Sequence, residues 1–270
     1  MRIGVRVDLS EDMGARIAKV RALGLSSCQL HNWDMALYTE ELAARVRAAC
    51  LAECVSISSL WAGWSGERVW DLNKGPLTLG FLPEATRAQR IMDMKRAGDF
   101  AALIEVKQIA THAGFIPEQP HEAGYQPMIA ALREIASYYA ERGQYLLFET
   151  GQETPVTLLR AFEDIGCTNL GVNLDPANLL MYGKANPLDA LDLIGHYVMD
   201  VHAKDGEYPT EGRNLGEEKK LGDGRVNYPA LIAKLRNLGY DGALTIEREI
   251  SGEEQIRDIE TAIGLLRSLI

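Results

Sequence analysis

Residues 145–175 read YLLFETGQETPVTLLRAFEDIGCTNLGVNLD: a short apolar run, a longer segment, then a second apolar run. Tyr145–Thr150 and Leu170–Asp175 have the length and composition of buried parallel strands. Between them, Thr154–Pro155 puts a side-chain acceptor and a residue of fixed φ at a helix start. Gly166 then offers the left-handed residue that ends a helix without a Cβ penalty. The stretch is one strand–helix–strand unit.

The same unit recurs in both directions. Further strand-like runs lie at Arg2–Asp8, Ser27–Asn32, Val55–Trp61, Gln108–Phe115, Tyr197–Lys204 and Ala243–Glu249, making eight in all. The segments between them carry apolar residues at three- and four-residue spacing, as in Ile129, Leu132, Ile135, Ala136 and Tyr139, or Ile256, Ile259, Ile263 and Leu266. Gly24, Gly143, Gly195 and Gly239 stand where helices should end, while Asn186–Pro187, Asn227 with Pro229, and Ser251 with Glu254 mark starts. Eight such units of roughly 30 residues, with no linker, predict one (β/α)₈ barrel domain over residues 1–270. An open doubly wound sheet is the runner-up, weakened by Val7-Asp8-Leu9-Ser10 standing where a G-x-G-x-x-G turn belongs. Two connections, Ala62 to about Ala85 and Asp205 to about Asn227, are long enough to cover a site on the C-terminal rim.

Composition excludes several classes. With 47% hydrophobic and 24% charged residues the chain can bury a large core, so disorder, collagen and coiled coil are out. A net charge of −10 argues against a nucleic-acid binder. Cys28, Cys50, Cys54 and Cys167 form no CxxC pair and read as small apolar residues in a reducing compartment. No run of about 18 apolar residues exists, and MRIGVRVDLS lacks the layout of a signal peptide, so the expectation is a cytoplasmic protein without membrane contact.

In such a barrel the C-terminal strand ends carry the chemistry. Here Leu146–Thr150 ends in Glu149, Gly171–Pro176 in Asp175, Asp200–Asp205 in His202, Lys204 and Asp205, and Leu244–Arg248 in Glu247. A single Glu at a strand end is ordinarily solvated, and Asp175 before Pro176 could simply open a turn. Four in consecutive units would instead crowd three carboxylates and an imidazole into one mouth, and a divalent cation neutralises such a set most directly. Mostly oxygen donors suit Mn²⁺, Mg²⁺ or Co²⁺; Zn²⁺ stays open.

The ordered ends FET, GVNLDPANLL, VHAKD and LTIERE, with THAGF before them, resemble the xylose isomerase-like barrel superfamily and its sugar isomerase and epimerase members. The diagnostic motifs are confined to residues 111–249. The resemblance implies that Glu149, Asp175, His202 and Glu247 bind one divalent cation, Mn²⁺ foremost. It also implies that Glu149 and Glu247 act as catalytic acid and base on opposite faces of a ketose or aldose, phosphorylated or not, through a cis-enediolate. His112, Asn178, Lys204, Trp61 and Arg213 are the candidate substrate contacts. Of these, Asn178 stands where many members have His, and Tyr208 where ketose epimerases place an arginine, for which Arg213 is the candidate substitute. Trp64, Arg225, Arg248 and His31 are weaker candidates, with His121 and His196 expected at the surface.

The competing readings are a dehydratase or lyase of a keto-sugar, keto-inositol or dehydroshikimate-like acid, which shares the first proton abstraction; a three-zinc nuclease, for which histidines are missing; and a non-catalytic binding barrel. The expected partner is a small sugar-like molecule, with self-association open.

Overall fold

The computed structural model describes all 270 residues. The barrel strands are β1 (Arg2–Asp8), β2 (Ser27–Asn32), β3 (Ser56–Ala62), β4 (Gln108–Thr111), β5 (Tyr145–Glu149), β6 (Leu170–Leu174), β7 (Val198–Ala203) and β8 (Ala243–Ile246). All neighbours pair in parallel and β1 closes on β8, so the sheet is a closed barrel and the open-sheet alternative falls. The wall helices are α1 (Met13–Ala22), α2 (Glu40–Glu53), α3 (Glu84–Leu103), α4 (Tyr125–Ala140), α5 (Pro155–Ile165), α6 (Pro187–Ile194), α7 (Tyr228–Asn237) and α8 (Glu253–Leu269). None is long and apolar enough to cross a membrane.

The helix starts follow the sequence where a side chain can reach back. Thr154 accepts from the Thr157 N–H, Asn186 from Leu188 and Asn227 from Ala230. Two expected punctuation marks differ. Gly195 has φ −61 and leads into a 3₁₀ turn rather than taking the left-handed conformation. Ser251 forms no capping box, because Gly252 at φ +88 is the residue before α8 and no side chain caps it. The β4 run also stops early, since the chain turns outward through Gly114 at φ +89. The four cysteines are free, and Cys54 itself ends α2 in the left-handed conformation.

One core of 64 buried residues fills the space between strands and helices, whereas Trp61, Ala110 and Leu147 form a small separate cluster. The difference follows from the two-residue alternation of strands. Cys28, Leu30, Phe148 and Val172 belong to the outer core; Gln29, Ser59, Asn173 and Asp200, at the opposite parity, meet one another in a buried polar network. Two residues further along the same strands, at the same parity, stand His31, Trp61, Asp175 and His202.

Candidate metal centre and cavity

Each rim position is two residues beyond its supporting layer. Leu147 leads to Glu149 on β5, Asn173 to Asp175 after β6, Asp200 to His202 on β7, and Thr245 to Glu247 after β8. The structure brings these four together: one ligand atom from each lies within 4.8 Å of the others, and all four residues are buried. His202 Nδ1 is 3.2 Å from Glu149 Oε1, 3.2 Å from Glu247 Oε2 and 3.6 Å from Asp175 Oδ2.

How each ligand is held decides which atom it offers. Asp175 does open a turn, as its position before Pro176 suggested, but with one oxygen only. Its Oδ1 accepts from the Asn178 N–H at 2.8 Å, capping the short helix Pro176–Met181, while Oδ2 is buried without a hydrogen-bond partner. His202 is the same case. Its Nε2 lies 2.8 Å from Gln29 Oε1. The Gln29 amide nitrogen donates to Ser59 Oγ at 2.9 Å and Asn173 Oδ1 at 3.2 Å, which fixes the amide with its oxygen toward the imidazole. Asn173 Nδ2 also lies 3.1 Å from Nε2, but Gln29 Oε1 is closer and is the acceptor there, so the assignment that uses it puts a proton on Nε2; Nδ1, which has no aligned partner, faces the carboxylates.

Two orphaned buried donor atoms, flanked by two more carboxylates, are the set that a hard or borderline divalent cation would satisfy. The residues present thus fit a metal. Without one, burial works against charge throughout the cluster. For Glu149 it is outweighed by the imidazoles of His112 and His202, which hold its carboxyl at about 2, whereas for Asp175 burial prevails and its carboxyl is pushed up. His202 goes the other way: Glu247 and Glu149 overcome its burial and push the imidazole well up. Cation binding at Nδ1 would have to release that proton.

The cluster floors a cavity of about 280 Å³. His112 and Trp61 line it, Trp61 through its indole N–H to Glu149 Oε2 and His112 with Nε2 at 3.5 Å from the same oxygen. Asn178 lines it too and donates to Glu149 Oε1 at 3.2 Å. Lys204 is fully inside; its ammonium is 2.8 Å from Glu249, 3.4 Å from Glu247 and 3.7 Å from Asp175, not paired with Asp205. His31 joins the lining, stacked on Trp61 at 4.2 Å.

Arg213 does not join it. That side chain is exposed on the segment after β7, and Tyr208 instead donates to the Gly183 carbonyl. Arg225 is exposed as well, and Arg248 is spent on Glu218 and Asp258. Trp64 is wholly buried beneath Arg90, 4.0 Å from the ring centroid, and His121 and His196 are exposed. The cavity's arginine is Arg6 on β1, which donates to Glu247 Oε1 at 3.0 Å. Sequence reasoning passed over it, together with Gln29, Trp33, Trp70 and Glu249. A signal existed for Arg6: Gly4, Arg6 and Asp8 alternate with Ile3, Val5 and Val7, a polar parity on an otherwise apolar strand.

Residues 17–269 match the family described as the xylose isomerase-like TIM barrel. The chain belongs to this family. A solved member-like structure, a xylose isomerase domain protein from Planctomyces limnophilus, is 34% identical, with 99% of this chain and 96% of that one aligned at a TM-score of 0.93. An uncharacterised protein of Methanocaldococcus jannaschii is 27% identical over 200 residues, 69% of this chain but 64% of the relative's length. A D-tagatose 3-epimerase-like protein shares the fold at 20% identity and a TM-score of 0.78, covering 100% of this chain and 97% of its own. Within this xylose isomerase-like barrel, the buried Glu–Asp–His–Glu cluster is a site that could hold a metal ion.

Proposed function

We propose that the protein is a divalent-cation-dependent sugar isomerase or epimerase. In this reading Glu149, Asp175, His202 and Glu247 hold the cation, and Glu149 and Glu247 do the proton transfer. The observation that carries it is the convergence of these four buried strand-end residues, with the bare Nδ1 and Oδ2 atoms among them. Family membership and the fold shared with an epimerase-like protein agree with it. When bound, the cation would polarise a carbonyl and its neighbouring hydroxyl, acidifying the adjacent C–H.

The chain's own groups would then act as follows. Glu149 and Glu247 come from β5 and β8, with β6 and β7 between them, so they address a molecule in the mouth from different sides. One carboxylate removes the proton next to the carbonyl; return by the other to the opposite face inverts the centre, and delivery to the neighbouring carbon moves the carbonyl. Trp61 and Asn178 fix Glu149, and Arg6 fixes Glu247, so that neither must be reoriented as it works. The Lys204 ammonium, 3.4 Å from Glu247, faces the negative charge that grows on the substrate oxygen.

Proton NMR in D₂O with Mg²⁺-loaded protein and a panel of ketoses, aldoses and keto-inositols tests this. Deuterium next to the carbonyl together with a new sugar is the expected result. Loss of a hydroxyl would convert the reading to a lyase, which shares the first step. No exchange across the panel would remove the isomerase reading.

A further inference from the structure

The cavity's two walls differ in kind, and the difference selects a substrate class. On one side Trp33 and Trp61 lie 5.0 Å apart, His31 stacks on Trp61, and Trp70 stands 5.3 Å from His112, a continuous aromatic surface. Such a surface takes the C–H face of a polyol without asking for charge. The other side holds the ionic groups, and its charges are already matched. Among the lining residues the lysine and arginine side chains are Lys204 and Arg6 alone. Arg6 commits one guanidinium nitrogen to Glu247 at 3.0 Å and another to Asp8 at 3.2 Å. Lys204 is held by Glu249 at 2.8 Å with Glu247 behind it. Burial lowers the pKa of His31, so it adds no charge.

We propose, building on the function above, that the substrate is an uncharged polyhydroxy carbonyl compound, a free sugar or keto-polyol, and that phosphorylated and carboxylated analogues are discriminated against. The four carboxylates of the cluster and cavity (Glu149, Asp175, Glu247, Glu249) face Arg6, Lys204 and one divalent ion, so the loaded site is balanced and has no cation to spare. An incoming phosphate would find no uncommitted cation there. To find a donor it would have to draw Arg6 from Glu247 or Lys204 from Glu249, leaving a buried or half-buried carboxylate without its partner. A volume near 280 Å³, at the low end for small-molecule pockets, leaves little room to place a phosphate beyond reach of these carboxylates. Outside the lining, an exposed Arg68 is stacked 4.1 Å over Trp33.

The test compares Mg²⁺-loaded protein acting on free ketoses, the same ketoses as phosphates, and keto-acids, by deuterium exchange in D₂O at equal concentrations. The expected kcat/KM ratio favours the free sugar by at least about a hundredfold, since drawing a cation off a buried carboxylate costs several kcal/mol. Arg68→Ala should leave that ratio unchanged. Glu249→Gln, which releases Lys204 from its nearest carboxylate on a side chain about half exposed, should narrow it by about tenfold or more. Equal or better turnover of a phosphate or acid overturns the proposal while the isomerase reading stands, and so does a ratio that Glu249→Gln leaves untouched or that Arg68→Ala erases. Exchange with none of the three classes removes the isomerase reading itself, and the proposal falls with it.

Discussion

Gln29→Leu should separate the candidate metal site from the barrel that carries it. Leucine fills nearly the same volume in a wholly buried position on β2 but can neither accept from His202 Nε2–H nor donate to Asn173 Oδ1. Asp200 would keep Ser58, Ser59 and the Val201 N–H, so two buried groups rather than three are orphaned. At about 1–3 kcal/mol each, the expected loss of stability is about 2–6 kcal/mol. The imidazole also loses the contact that keeps the proton on Nε2, and second-shell losses of this kind weaken metal binding about 10–100-fold. Mn²⁺ affinity read by electron paramagnetic resonance of the free ion, with urea denaturation beside it, measures both quantities. Gln29→Glu restores an acceptor and should recover most of the affinity, yet not the stability, because its carboxylate faces Asp200 Oδ2 at 3.4 Å. A folded Gln29→Leu protein with wild-type Mn²⁺ affinity would refute the tautomer argument outright.

Glu149→Gln and Glu247→Gln should each retain the circular dichroism of the barrel and lose about 10²–10⁴-fold in D₂O exchange rate; near-normal exchange in either variant sinks the proposed chemistry. Burial pushes the Glu153 carboxyl up to about 8 from its ordinary 4.5. The native protein therefore keeps a proton that the unfolded chain releases, and this group costs stability increasingly as pH rises from about 4.5 to 8, by at most about 1.4 kcal/mol per pH unit. Relative to wild type, Glu153→Gln should thus gain stability over that window in denaturation curves, and parallel pH profiles would show the carboxyl to be ionised throughout. Gly80 sits at φ +65, where an added Cβ would run into the Ala113 carbonyl. Gly80→Ala should accordingly cost at least about 3 kcal/mol and open the segment after β3 to protease, whereas a loss under about 1 kcal/mol would mean that the segment is not anchored there.

The barrel was legible because strand, helix and stop signals repeat: Tyr145–Thr150, Pro155 and Gly166 each decide their own local geometry. The metal-ligand candidates were legible for a related reason, since Glu149, Asp175, His202 and Glu247 interrupt apolar runs at their C-terminal ends. Arg6 and Gln29 were not, because a polar residue within a strand declares its side only once the sheet has closed and the two-residue parity acquires an inside. Arg213 misled for the opposite reason: it lies near the site in sequence, but the rim segment bearing it runs outward. Lys204 and Asp205 are neighbours in sequence, but a strand turns adjacent side chains to opposite faces. The partner of Lys204, Glu249, comes from the adjoining chain segment after β8, two residues past Glu247.

Asp205, on the face opposite Lys204, has a task of its own. Its Oδ1 accepts the N–H groups of Gly206 and Val226 and its Oδ2 those of Gly222 and Gly224, at 2.8–3.1 Å. One carboxylate therefore knots both ends of the excursion between β7 and α7 at its base. The mainly exposed tip, residues 208–214, hangs from that base, whereas Leu215 lines the cavity and Glu218 holds Arg248 and the Glu249 N–H. A tip twice as long would add only about 0.6 kcal/mol of closure entropy provided Asp205 and its glycines remain. In an engineered or diverging relative, that tip can be rewritten while the Glu–Asp–His–Glu cluster below it stays as it is.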